Sequence, residues 1–105
     1  MSALGLEMRP LHRATERALD KGIRHAVRVL YENGVETFES CEGGKGHAYA
    51  EPTIRFYGTL NAGWAALTIA HDHGVPVYKL GIVYSIQGGQ PHGPFWEMTL
   101  SRKDP

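Results

Sequence analysis

The stretch Val77–Gln87, VYKLGIVYSIQ, decides the fold. Tyr78, Leu80, Ile82, Tyr84 and Ile86 fall at every second position, the period at which a strand returns side chains to one face, so the segment predicts a half-buried antiparallel strand. Its continuation supports this. After GGQPHGP, whose glycines and prolines are turn chemistry, FWEMTL places Trp96, Met98 and Leu100 on one side and Phe95, Glu97 and Thr99 on the other. Upstream, Pro76 restarts an extended chain behind a helix expected from about Asn61 to His73. That helix is capped by Thr59 or Asn61 and closed by Gly74. His71 and His73 sit two apart on it, so they cannot chelate together, and they are expected to complement its negative end. The order here is helix, strand, strand.

The first half repeats that order. Leu11, Ala14, Leu19, Ile23, Ala26, Val27 and Leu30 recur at three- and four-residue steps and predict one helix from Pro10 to Glu32, stopped by Gly34. VETFES and TIRFY have strand composition, separated by the turn-rich EGGKGHAYAEP. Ser40–His47, SCEGGKGH, aligns without a gap on Ser85–His92, SIQGGQPH. A shared loop embedded in a shared element order points to an internal repeat, about 10–58 and 59–101. The expected fold is therefore an α+β domain over residues 1–105. It comprises two αββ repeats forming a four-stranded, mainly antiparallel sheet with two helices on one face.

Eleven basic residues balance eleven acidic ones among 105, which removes the usual electrostatic drive toward nucleic acid or an anionic membrane. Arg13, Arg17, Lys21, Arg24 and Arg28 do form a basic stripe on the predicted first helix, but Glu16, Asp20 and Glu32 interleave, with Asp20 and Arg24 a favourable i,i+4 pair. The stripe reads as a solvated face, and no nucleic-acid partner is expected. The lone Cys41 excludes an internal disulfide, the start MSALGLEMRP has neither a basic nor an apolar leader region, and no apolar run nears the length of a membrane span. A cytoplasmic location is expected.

SCEGGKGH is the one stretch with chemistry to weigh. Cys41 with His47 and Lys45 nearby has the ingredients of an activated thiol, although the aligned residue in the second half is Ile86, which suggests a packing position. As a metal site, Cys41 and His47 supply two ligands where a structural zinc takes four, so no metal or other cofactor is expected. Gly43, Gly44 and Gly46 with Lys45 resemble an anion-binding nest, but no helix follows to add its N-terminus. The favoured expectation is a glycine-rich hairpin turn held by hydrogen bonds of His47 to backbone or Glu42, with His92 equivalent in the second hairpin. A two-fold relation between the halves would put the two loops at opposite ends of the sheet and keep His92 away from Cys41 and His47.

TFESCEGGKGHAYAEPTIRFYG resembles a group of small bacterial and phage proteins that share an SCEGGxGH signature followed by a Pro-led strand. The resemblance runs from the first helix to GPFWEMTL and implies no activity or site residue. On the residues alone, the first reading is a small non-catalytic binding or regulatory protein. Its candidate ligand contacts are Glu42, Gly43, Gly44, Lys45 and His92, for an unidentified small ligand. The alternatives are a thiol-dependent enzyme using Cys41 and His47, and a metal-binding protein using the same pair. The aromatics Tyr49, Tyr57, Trp64 and Phe95 exceed what one small core needs, so a homodimer burying the uncovered sheet face is expected.

Overall fold

The single helix expected across Pro10–Glu32 is broken. In the computed structural model, which describes residues 9–104, α1 spans Arg13–Ala18, a 3-10 turn spans Lys21–Ile23, and α2 spans Arg24–Glu32. Between them Leu19 and Asp20 are extended, with ψ of 149° and 139°. Gly22 stands just past the interruption, and its missing side chain lets this corner lie against Glu42 and Lys103: a Cβ there would stand 3.0 Å from one and 3.1 Å from the other. Arg24 does not pair with Asp20. Its guanidinium donates to the carbonyls of Leu19 at 2.9 Å and Arg17 at 3.0 Å, closing the end of α1. The basic residues of this segment thus lie on separate elements and form no continuous stripe. The apolar period survives the break because Leu19 and Ile23 still reach the core, although α1 itself buries no residue.

Val35, 4% exposed, leads from α2 into β1, Glu36–Cys41, which is followed by β2, Thr53–Tyr57, and α3, Leu60–Asp72. Then come β3, Val77–Gln87, and β4, Gln90–Leu100. The four strands form one antiparallel sheet in the order β1-β2-β4-β3. The class is α+β. Ile54 and Phe56 of β2 and Trp96, Met98 and Leu100 of β4 pack with Ala26, Val27 and Leu30 of α2 and Ala66, Ile69 and Ala70 of α3 in one buried cluster. Thr59 caps α3 by accepting from the amide of Ala62, and the His73 ring nitrogen meets the Ile69 carbonyl at 2.8 Å at its other end. Gly63 is the notch that admits the core's largest ring. A Cβ on it would fall 2.1 Å from Trp96, which stacks on Phe56 and donates its indole N–H to the Thr59 carbonyl at 3.0 Å.

The two hairpins are closed differently. Gly88 and Gly89, with φ of 58° and 76°, make a two-residue turn of the kind that fits strand twist. β1 and β2 are instead joined by the long loop of residues 42–52, the expected turn-rich EGGKGHAYAEP, in which Gly43, Gly44 and Gly46 adopt the expected positive φ. The opposite burial of the aligned side chains follows: Cys41 is 7% exposed and Ile86 67%. Ile86 therefore gives no support to reading that column as a packing position.

The sheet face away from the core cluster is partly self-satisfied. Arg55 donates to Glu97 at 2.9 Å, pairs with Glu39 at 3.3 Å, and lies over the rings of Tyr49 and Phe95. Phe38 stacks on Tyr57 at 4.2 Å and meets Phe95 edge-on. Tyr49 arrives from the loop and donates to Glu39; burial first, and that bond second, push its phenol far above the ordinary range. Trp64 is not on this face: it stands outward on α3, 59% exposed. Of the aromatics that suggested a covered sheet face, Phe95 is buried and Tyr49 half-buried within the chain itself, while Tyr57 stays 55% exposed. No helix among the described residues is long and apolar enough to cross a membrane, and the stretch searched for a leader, residues 1–8, lies outside the described residues.

Candidate metal centre

Three elements meet at the start of the 42–52 loop. Cys41 ends β1 opposite Thr53, Asp20 stands at the break between α1 and the 3-10 turn, and His47 comes back from within the loop. One ligand atom from each, a thiol sulfur, an imidazole nitrogen and a carboxylate oxygen, lies within 4.8 Å of the others. Cys41 forms a buried floor, while Asp20 and His47 are accessible from solvent.

The loop is shaped to hold these groups. Gly43, at φ 80°, passes so close to the backbone of Glu51 and Pro52 that a Cβ would lie 2.3 Å from the Glu51 carbonyl carbon. Its amide donates to the Cys41 sulfur at 3.4 Å, tying the turn to the end of β1. The Gly44 amide is shared between the carbonyls of Tyr49 and Ala50, and the Gly44 carbonyl accepts from the amide of His47. With the Gly43 and Gly44 amides so engaged, the anion-nest reading loses two of its donors. Lys45 is exposed at the loop tip.

His47 stands between two carboxylates, with Nδ1 3.8 Å from Asp20 Oδ2 and Nε2 3.8 Å from Glu42 Oε2. Both distances exceed a hydrogen bond, so the expected bond from His47 to Glu42 is an open electrostatic contact. Glu42 is anchored by the Gly22 amide at 3.1 Å and the Lys103 ammonium at 3.3 Å. These two, in that order, hold its carboxyl below the usual value of 4.5. The Glu42 amide in turn donates to Asp20 at 3.3 Å. A carboxyl with a lowered folded pKa stabilises the fold fully above its unfolded value, and that contribution is lost as pH falls through the folded one. Glu42→Gln is therefore expected to flatten the acid limb of the stability curve from about pH 5 downward, read by urea unfolding at successive pH values. An unchanged acid limb would show that the Gly22 and Lys103 contacts do not hold the carboxylate in solution.

Of the residues singled out in the sequence, Cys41, Glu42 and His47 come together, and Gly43 and Gly44 shape their support. His92 does not join them. It pairs across the other hairpin with Ser85, and with Phe38, Arg55 and Tyr57 it lines a groove on the far sheet face. Asp20, Gly22 and Lys103 were not legible. Asp20 looked like a member of a helical ion pair, and Lys103 follows the last strand. The signal available was Asp20-Lys21-Gly22, a capping residue and a helix breaker inside an otherwise helical period. No protein-family model matches the chain, and no curated protein or solved structure is similar enough to carry a fold or activity to it.

Proposed function

We propose that the protein is a small metal-binding protein whose ion, zinc by chemistry, is held by Asp20, Cys41 and His47. The observation that carries this is the convergence of three different ligand types within 4.8 Å. Ligand atoms around a tetrahedral zinc, at bonds of about 2.0 to 2.3 Å, stand roughly 3.3 to 3.7 Å apart, so the widest pair of the cluster needs to contract by up to about 1.5 Å. A thiolate and an imidazole beside one carboxylate select zinc over magnesium or calcium, which take oxygen ligands. If His47 coordinates through Nδ1, on the Asp20 side, its Nε2–H is left facing Glu42, the usual arrangement that orients a ligating histidine. Three protein ligands leave a fourth position for water. The reading joins the binding-protein expectation to the metal alternative and makes Asp20 the missing ligand. It requires a reduced thiol and hence a reducing compartment, the cytoplasm.

A second reading rests on the same cluster: Cys41, His47 and Asp20 are the residue types of a thiol nucleophile, its base and an orienting carboxylate. The depth of Cys41 favours the metal. Alkylation by iodoacetamide separates the two. Metal binding predicts that equimolar zinc protects Cys41 and that cobalt substitution produces a thiolate charge-transfer band. The thiol reading predicts rapid alkylation at neutral pH that zinc leaves unchanged, and that result would overturn the proposal.

A further inference from the structure

β3 is an edge strand with one neighbour, β4, along its whole length. The opposite edge is defended by the acids Glu36 and Glu39 of β1 and by the segment around Leu11 and Leu19 beside it. Both edge ladders shift register, at Thr37/Glu39 in β1 and at Val77/Lys79 and Val83/Ser85 in β3, and Lys79–Val83 between the two β3 shifts pairs regularly. β3 has eleven residues, no proline and a single charge, Lys79. Ile82, Tyr84 and Ile86 alternate along it at 53%, 59% and 67% exposure. Beside them Trp64 and Leu67 of α3 form, with Leu80, Ile82 and Trp96, an apolar groove of about 360 Å³.

We propose that two copies of the chain pair β3 against β3, antiparallel about a two-fold axis at Ile82, joining two four-stranded sheets into one of eight strands. Three observations favour a second copy over a different partner. The strand is self-complementary in this register: Ile82 faces its own counterpart, Leu80 faces Tyr84, and Lys79 faces Ser85, so no like charges oppose. Each copy's Tyr84 comes opposite the other's Leu80, at the mouth of the groove beside Trp64. The formal net charge is zero, so nothing in the overall field opposes self-association. Area agrees as well. Trp64, Ile82, Tyr84 and Ile86, at roughly 100 Å² apiece, offer on the order of 400 Å² per protomer, about half of the roughly 800 Å² per partner of a standard interface, with the strand backbone and Leu67 adding to it.

Sedimentation of the full chain at micromolar concentration tests this. The expected species has twice the 11.6 kDa chain mass. Ile82→Lys, which sets two ammonium groups against each other on the axis, is expected to raise the dimer dissociation constant at least a hundredfold. Tyr57→Lys on the far sheet face is expected to leave it unchanged. If Ile82→Lys disturbs the circular dichroism spectrum, Ile86→Lys near the strand end asks the same question. The register is read with Ile82→Cys and Ile86→Cys under diamide: the on-axis cysteine is expected to give a disulfide-linked dimer and the off-axis one little. A monomeric wild type, a dimer that tolerates both lysines, one lost only in Tyr57→Lys, or equal crosslinking at both positions would each overturn the proposal.

Discussion

Saturating zinc is expected to stabilise the wild-type chain by about 4 kcal/mol when free metal exceeds its dissociation constant a thousandfold. For a domain of this size each kcal/mol moves the melting temperature by about 4 to 8 °C, so the shift is too large to miss. Asp20→Asn, Cys41→Ser and His47→Ala are each expected to remove most of this gain, because each deletes one of three protein ligands. Without metal the His47 variant costs little. The carboxylates near His47 stand at 3.8 Å, beyond hydrogen-bond range, so His47→Ala in chelator is expected to lose no more than about 1 kcal/mol. His92→Ala, at the other end of the sheet, will show the full zinc response. The measurement is urea unfolding of each variant with zinc and with chelator. A midpoint of the wild type that ignores both would remove the metal reading, and loss of the response in His92→Ala would show that the ion sits elsewhere. Because histidine and thiol must both lose a proton to bind, the zinc response is further expected to shrink as pH falls below neutrality.

Trp96→Ala is expected to cost about 3 to 5 kcal/mol, the range for removing a large buried aromatic. The ring fills the space between Phe56 and the Gly63 notch and satisfies the Thr59 carbonyl at the start of α3. Gly63→Ala attacks the same contact from the helix side. Its added methyl would overlap the indole at 2.1 Å, and overpacking of this kind costs about 1 to 3 kcal/mol although alanine is the better helix former. The two substitutions are therefore expected to be strongly non-additive. In a Trp96→Ala background, Gly63→Ala becomes neutral or stabilising, since its methyl enters vacated space and the helix propensity remains. Urea midpoints of the four proteins in the cycle supply the test. Simple additivity would mean that α3 shifts to accommodate the methyl and that the notch is not what seats Trp96.

The class, the four strands and the second helix are written locally. Alternation in Val77–Gln87 and Phe95–Leu100 and the cap-and-stop pair Thr59 and Gly74 are properties of neighbours in the chain, so they can be read without knowing what packs on them. The tertiary structure decided the rest because it turns on contacts between distant residues. The first helix breaks at Leu19 and Asp20, beside the corner where Gly22 admits Glu42 and Lys103, a steric fit invisible to a periodicity that Leu19 and Ile23 carry straight through the break. The ladder of Cys41 on Thr53 sends SCEGGKGH into a long loop, where the aligned SIQGGQPH closes in two residues with Ser85 paired to His92. Cys41 and His47 were legible as chemistry but incomplete as a site. Their third partner, Asp20, is brought in only when the chain leaves its helix at Leu19, and no spacing rule connects a capping residue to a thiol on the far end of a strand.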